Sequence, residues 1–431
     1  MSSSVLQRWY NVVEMTNNVI VIETDEAFVG EFCVIRINKN KKISGEVISF
    51  KNNLASICLL DDGKGISSST KVALTGKVRS IDITPSILGS VIDANFNIIT
   101  RFGSSEQLFI NTSQSYREVS SDGVSPLIRS IIDKKCITGI KAIDSLLTVG
   151  IGQRIGIFAP AGTGKTTLLV SLLNGIESDI YILILVGERG REVNEFIYSL
   201  IPNEIKNKCI VVYSTSDQSS ILRRNAALIG MTISEYFRDA GFNVLVLFDS
   251  ITRYARALRE IALDGGEHSN DKYPSSVYSN IPKILERAGK TKNGSITAFY
   301  TILLESEDDD DPLGNEVKSI IDGHFYLTNK LSSKNHYPAI DVLSSKSRLF
   351  ESLVSDDFKR DASLIRNALS KYQELEFLID IGEYKAGVNR KNDKIVENID
   401  EINSFLTQAN DEFFSENELN EKMQIITSKL T

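Results

Sequence analysis

Cysteine and histidine are scarce in this chain, four and three among 431 residues. Cys33, Cys58, Cys136 and Cys209 are scattered without C-x-x-C spacing, and His268, His324 and His336 form no zinc pattern. A disulfide scaffold and a zinc module are thereby excluded, and free thiols in a reducing cytoplasm are expected. Positive charge is not in excess: Lys+Arg 48 against Asp+Glu 56 gives a formal net charge of −8. No global basic field draws such a chain to nucleic acid. Long apolar runs are lacking, since residues 180–186 are too few to span a bilayer and no apolar core with a cleavage site opens the chain. Repeats and low-complexity linkers are missing too. What remains is 42% hydrophobic and 24% charged residues, a soluble globular composition in a length sufficient for two or three domains.

One stretch carries chemistry. RIGIFAPAGTGKTTLLVSLLNGI (154–176) reads as a short β-prone run, a small-residue loop, and then apolar residues at helical spacing: Leu168, Leu169, Leu172, Leu173, Ile176. A polyphosphate needs several inward backbone N–H groups, so the chain must wrap closely around it. Gly162 and Gly164 permit that approach, and Ala161, Thr163 and Thr167 complete the wrap. The helix N-terminus contributes partial positive charge, Lys165 a full one, and Thr166 a hydroxyl suited to Mg²⁺. The first glycine of G-x-x-x-x-G-K-[ST] is Ala159 here. Gly150-Ile151-Gly152 lacks the third glycine of a dinucleotide fingerprint and reads as a turn.

Up to about Thr75 the chain shows short β-branched runs at 19–23, 31–37, 45–50 and 54–60, predicting a small β-barrel or sandwich. Ahead of it Val5, Leu6, Trp9, Tyr10 and Val13 match one helical face, for packing on the barrel or for a membrane or partner contact. Residues 76–86 read as a connector. From there to Arg348 β-runs alternate with helical stretches, and several runs are apolar on both faces, as in a parallel sheet covered by helices. After Phe350 helices are expected. Leu364, Ala368, Tyr372, Leu375 and Ile379 trace one face, and Ile395, Ile399, Ile402 and Leu406 another. Ser415 and Glu418 suit a capping box.

Two strand ends stand beside the loop in this scheme. Asp249 closes NVLVLFD, where a carboxylate can hold Mg²⁺ with Thr166 or simply cap the next helix. YILILVG runs into Glu188, Arg189 and Glu192, either a site that polarises an attacking water or a solvated charge cluster. The acidic run 305–311 reads as a solvated loop rather than a cation site.

GERGREV (187–193), LFDSITRYARALRE (247–260), SITAFYTILLE (295–305) and HYPAIDVLSSKSR (336–348), with TGIKAID (138–144) and ELEFLIDIGEYKAG (374–387), resemble the rotary-ATPase-related hexameric motors. Within these the chain is most similar to type III protein-secretion ATPases and their flagellar export relatives. The resemblance implies an α/β, RecA-like P-loop NTPase core with an N-terminal small β-barrel and a C-terminal helical domain. It divides the chain at 1–76 (barrel, oligomerisation), 77–349 (ATPase) and 350–431 (helical, chaperone and substrate contact).

The same resemblance implies ATP as substrate and Mg²⁺ as cofactor. Lys165 would hold phosphate, Thr166 and Asp249 the metal, with Glu192 acting on it through water. Glu188 would organise the attacking water, Arg189 and Arg253 would line the γ-phosphate, and Tyr337 would pack on adenine. Arg348 would be an arginine finger for a neighbouring subunit, and residues 273–289 a loop facing a central channel. The implied setting is a homohexamer at the cytoplasmic face of the inner membrane. A central stalk, a peripheral stator and chaperone–effector complexes would be its partners, membrane attachment would come through them, and no nucleic acid is expected. Ala159, and the lack of an acidic Asp-Glu-Leu-Ser-Glu-Glu-Asp motif, separate the chain from rotary β subunits. Glu188 separates it from non-catalytic ones, which carry glutamine. A flagellar export ATPase, a rotary catalytic subunit, an RNA translocase and a non-hydrolysing nucleotide-binding subunit are the competing readings.

Overall fold

The computed structural model describes residues 8–16, 18–61, 63–102, 114–119, 123–269, 271–305, 311–409, 412 and 414–431. Six strands, β1 (Trp9–Thr16), β2 (Val19–Glu23), β3 (Glu31–Arg36), β4 (Lys42–Lys51), β5 (Leu54–Leu59) and β6 (Lys71–Val78), close into a barrel in the order 1-2-5-4-3-6. Closure leaves no open edge. Alternate residues fill the interior, among them Ile20, Ile22, Cys33, Ile35, Val47 and Ile57.

The helical face expected near the N-terminus is not formed by residues 9–13. They lie on β1, which pairs with both β2 and β6. Tyr10 enters the barrel core while Val13 is 61% exposed, an inside–outside pattern of a strand rather than a helix. Closing the barrel satisfies this segment's backbone on both sides, which outweighs a short helical period. Val5 and Leu6 lie outside the described residues. The expected connector is also structured: β6 runs on to Val78, and Ser80–Ile83 pairs with Ser115–Glu118.

The central sheet runs in the order Lys346–Ser347, Gly323–Tyr326, Arg154–Ala159, Ser295–Leu303, Asn243–Asp249, Ile180–Glu188, Cys209–Thr215, Ser90–Asp93, Ile98–Arg101. The strands from Gly323–Tyr326 to Ser90–Asp93 are parallel. Every residue of Ile180–Glu188 is buried, because helices cover both faces. Alternation divides each strand between two cores. Tyr181, Leu183 and Leu185 face one, and Ile182, Ile184 and Val186 face the other.

The first of these cores holds the 165–175 helix and continues without a break into the C-terminal helices through Ala362, Ile365, Ile402, Phe405 and Met423. The helical segment is therefore packed on the same sheet face as the phosphate-type loop. Its long helix, Asp356–Asp380, buries Ala362, Ile365, Ala368 and Leu375, which includes Ala368 and Leu375 of the expected stripe, while Leu364, Tyr372 and Ile379 are half-buried beside them. The capping box of Ser415 and Glu418 is formed. Residues 275–285, expected as part of a loop, are a helix whose Val277, Ile281, Ile284 and Leu285 pack into the second core. Of the acidic run, 306–310 lie outside the described residues, while Asp311 is buried and caps the helix Pro312–Ile320.

Candidate active site

The loop follows directly from Arg154–Ala159, a strand held between two parallel neighbours. Gly162 and Gly164 take φ of +83° and +87°, conformations an L side chain adopts only with strain. Thr163 turns inward and donates to the Pro160 carbonyl at 2.9 Å. The helix Lys165–Gly175 begins without a side-chain cap and with no acidic residue in its first turn. Its leading N–H groups are thus left to an anion. Ala159, the residue in place of the first glycine, is the last of the strand and is buried in the first core.

TGIKAID acts as a buttress for this helix. Asp144 is buried and accepts hydrogen bonds from Thr138 N at 3.0 Å, Thr138 Oγ1 at 2.8 Å and Gly139 N at 3.0 Å. Burial pushes its carboxyl up to about 7 even against these donors. The turn so held presses on the end of the loop helix, where a Cβ on Gly175 would lie 2.0 Å from the Thr138 carbonyl oxygen. Gly175→Ala is expected to destabilise the protein by about 1–3 kcal/mol, measured as a lower Tm, because backbone must move to admit the methyl group.

Five polar side chains converge at the end of the loop. Lys165 Nζ lies 2.6 Å from Asp249 Oδ1 and 3.9 Å from Glu188 Oε1. Thr301 Oγ1 donates to the same Asp249 oxygen at 2.6 Å. Arg253 donates to the Gly187 carbonyl at 2.8 Å and to Glu188 Oε2 at 3.2 Å. Its Nε stands 2.9 Å from Glu188 Oε1 but off the hydrogen-bonding direction, so this buried oxygen has no aligned donor among the described residues.

Glu188 is turned into the site by a register shift between Val186 and Glu188, with Gly187 at φ +68°. A Cβ at Gly187 would meet Arg253 at 3.3 Å, which ties the glycine to the arginine's approach. The Glu188 carboxyl is held above the usual carboxylate range, first by burial, then by Asp249 and Glu192, against the pull of Lys165 and Arg253. Glu192 is held below it, first by its hydrogen bond with Glu188.

Tyr337 stands across from the loop helix, 3.3 Å from where a Cβ on Gly164 would be. It borders a narrow cleft of about 490 Å³, open mouth included, shared with Thr167, Ser171, Gln408 and Glu412. Gln408 and Glu412 were not legible beforehand, since no motif surrounds them. Gln408 closes the cleft by donating to the Gly139 carbonyl at 2.7 Å and accepting from Lys141 N at 2.8 Å. Thr301 was missed as well, although a hydroxyl residue near the end of the buried strand beside that of Asp249 was a usable signal.

Two expected residues stand outside the cluster. Arg189 is 78% exposed, 3.9 Å from Glu192. Arg348 is exposed at the sheet edge, its N–H on the Asp322 carbonyl and Nη2 on the Lys318 carbonyl at 3.1 Å. Asp322 N in turn bonds to the Arg154 carbonyl, so the Arg348 backbone sits beside the start of the loop strand. Five residue steps, about 17 Å of strand, separate that level from Ala159.

The ATP synthase alpha/beta family nucleotide-binding domain matches residues 139–347, and the beta-barrel domain of that family matches 12–76. The T3SS EscN ATPase C-terminal domain matches 354–424. The SPI-1 type 3 secretion system ATPase of Salmonella typhi is 41% identical over 92% of this chain and 92% of its own. The chain belongs to the type III secretion ATPase family. The flagellum-specific ATP synthase of Borreliella burgdorferi is 38% identical over 93% of this chain and 91% of its own. Assembled EscN of enteropathogenic E. coli superposes with a TM-score of 0.89 at 38% identity, covering 97% of this chain and all of EscN. In complex with its central stalk EscO, EscN gives 0.86 at 37% identity, with the same coverage. As a member of this family the chain is an ATPase of type III protein secretion, and no helix among its described residues is long and apolar enough to cross a membrane.

Proposed function

We propose that six copies of this chain form a ring whose ATP sites lie between neighbours and drive protein export by an injectisome. The observation that carries the reading is the Glu188 carboxyl. It is buried at the end of a central strand beside Lys165 and Asp249, with one oxygen left without an aligned donor. Such an acceptor is suited to orient a water for in-line attack on a γ-phosphate.

The backbone of residues 161–167 wraps the phosphates. Lys165 leaves Asp249 to contact them, and Arg253 lines the γ-phosphate edge. Arg189, exposed in the single chain, would reach that edge only when phosphate and neighbour draw it in. Thr166 and Asp249, with Glu192 through water, offer the hard oxygen donors that Mg²⁺ takes while keeping several waters, and its charge neutralises phosphate oxygens. Tyr337 packs on adenine at the cleft beside the loop helix. Arg348 serves the next copy, because its place at the sheet edge keeps it from the cluster of its own chain.

The barrel is the oligomerisation element in this scheme, and the C-terminal helices receive chaperone–effector complexes. The stalk seen with EscN suggests an equivalent central partner, with a stator outside the ring. The working place is the cytoplasmic face of the inner membrane, reached through these partners, without nucleic acid. The C-terminal match over 354–424 supports the injectisome branch over the flagellar one.

Mass photometry and phosphate release over a range of protein concentration test this reading. Turnover is expected to appear cooperatively with hexamer mass and to stop with EDTA. Full turnover from monomers would sink it. The raised Glu188 carboxyl adds a pH prediction. It keeps its proton where an ordinary glutamate, near 4.5, has lost it, so the working carboxylate accumulates only as pH climbs further. The acid limb of kcat/KM, which reports the free enzyme, is expected above the ordinary glutamate range. Glu192→Gln is expected to move that limb to lower pH, since an amide N–H there favours the Glu188 carboxylate.

A further inference from the structure

The edge strand that leads into Arg348 presents more than one cation. Lys346–Ser347 pairs antiparallel with Gly323–Tyr326, His324 opposite Lys346. Ser347 points inward, donating to the Thr148 carbonyl at 2.8 Å and accepting from Gln153 at 3.1 Å. Alternation along extended chain then sends Lys346 and Arg348 to the same outer side, about 7 Å apart. Both are exposed. Lys318 adds a third charge nearby, and all three act on the half-buried His324 ring, whose pKa burial first and then these cations lower.

None of the three forms an ion pair among the described residues. Lys318 is seated over the Tyr326 and Phe158 rings, at 5.2 and 5.8 Å from their centroids. Arg348 spends one donor on the Lys318 carbonyl at the C-terminal end of a helix, which aims its planar fork. The Lys346 side chain makes no hydrogen bond among the described residues, and its ammonium is exposed on a flexible stem. Like charges gathered on one edge repel, and the arrangement is favourable only when an anion meets it. A second copy of this chain supplies such an anion at the place Arg348 is read to reach.

We propose that Lys346 is a second cation delivered, beside Arg348, to the phosphates of a nucleotide held in the loop of the neighbouring copy. This rests on the reading of Arg348 as acting on a neighbour's site. The two differ in chemistry. A flexible point charge serves ground-state phosphate binding, whereas the rigid fork serves the charge that develops during transfer.

The test uses the full chain at assembling concentration. Lys346→Ala is expected to raise KM for ATP about tenfold with kcat within about threefold, the size of one charge-assisted phosphate contact. Lys346→Arg should restore KM, and ring mass should be unchanged. Mixing Lys346→Ala with Lys165→Ala subunits should return part of the turnover to the wild-type KM, because an intact loop then meets an intact neighbouring Lys346. A Lys346→Ala KM within about twofold of wild type, below the effect of a single such contact, overturns the proposal. So does a defect cured by raising protein concentration, which makes Lys346 a docking charge for a carboxylate. Mixed rings showing only the raised KM place its action in its own chain and overturn it equally. Arg348→Ala separates the two readings. If it is inactive while Lys346→Ala is normal, only the lysine proposal fails; if it is as active as wild type, the shared-site reading fails first.

Discussion

Glu188→Gln is expected to lower ATP turnover about 10³-fold while leaving ATP binding intact or tighter. The amide keeps the shape of the side chain but cannot take a proton or aim an ionised oxygen at water. Binding survives because it depends on the loop backbone, the helix N-terminus and Lys165, whose close partner is Asp249 at 2.6 Å rather than Glu188 at 3.9 Å. Losing a carboxylate beside the phosphates removes a repulsion as well. The folded protein should tolerate the change. A carboxyl whose folded pKa is raised costs stability as pH climbs above its ordinary value near 4.5, and glutamine carries no such cost. Its Tm is therefore expected to equal or exceed the wild type's at neutral pH. Single-turnover phosphate release, nucleotide titration and a thermal melt on the same preparation decide the matter. A drop in turnover of less than about tenfold removes Glu188 from the chemistry, since positioned general bases contribute 10² or more.

Arg348→Ala is expected to cost about 10³-fold in turnover, within the range that fingers supplied from a neighbour contribute. The structure accounts for the direction of the effect. Arg348 makes no contact with Lys165, Asp249 or Glu188 in its own chain, and its guanidinium is anchored to the Lys318 carbonyl at the sheet edge. Loss of a group so placed matters to catalysis only through another copy. Mixing makes that distinction sharp. Rings of Arg348→Ala alone and of Glu188→Gln alone should both be inactive, yet mixed rings should turn over, because some sites join an intact Glu188 to a neighbour's intact Arg348. Mixed rings as inactive as their parents would place the arginine's effect within one chain. Assembly is read in parallel by mass photometry, so a failure to form rings is not mistaken for lost chemistry.

Much of the site was legible because its chemistry demands short, ordered motifs. Lys165 and Thr166 stand at a strand–loop–helix junction that few other sequences form, and Asp249 ends a strand that is apolar from Val244 to Phe248. The missed residues lack such company. Thr301 reaches Asp249 only because two strands 52 residues apart in sequence lie side by side in the sheet. Gln408 meets Gly139 across 269 residues, and nothing near either one announces the pairing. The errors share a cause too. Residues 9–13 carry a plausible helical period, but barrel closure offers that segment partners on both sides. Residues 275–285 lie in the stretch that the resemblance made a loop, but Val277, Ile281 and Ile284 find a core to fill.

By itself the sequence determined four of the six barrel strands, the alternation of strand and helix, the phosphate-type loop and the acidic residues at two strand ends. Each is set by local period or by the residue types one chemical task requires, and these survive without knowledge of neighbours. Only the tertiary structure decided which charges meet. It joined Lys165 to Asp249, turned Glu188 inward through the shift at Gly187, and left Arg189 in solvent. It also set Lys346 and Arg348 side by side on an outer edge. Contacts of this kind come from strand order and from the packing of residues far apart in the chain, which no local pattern encodes.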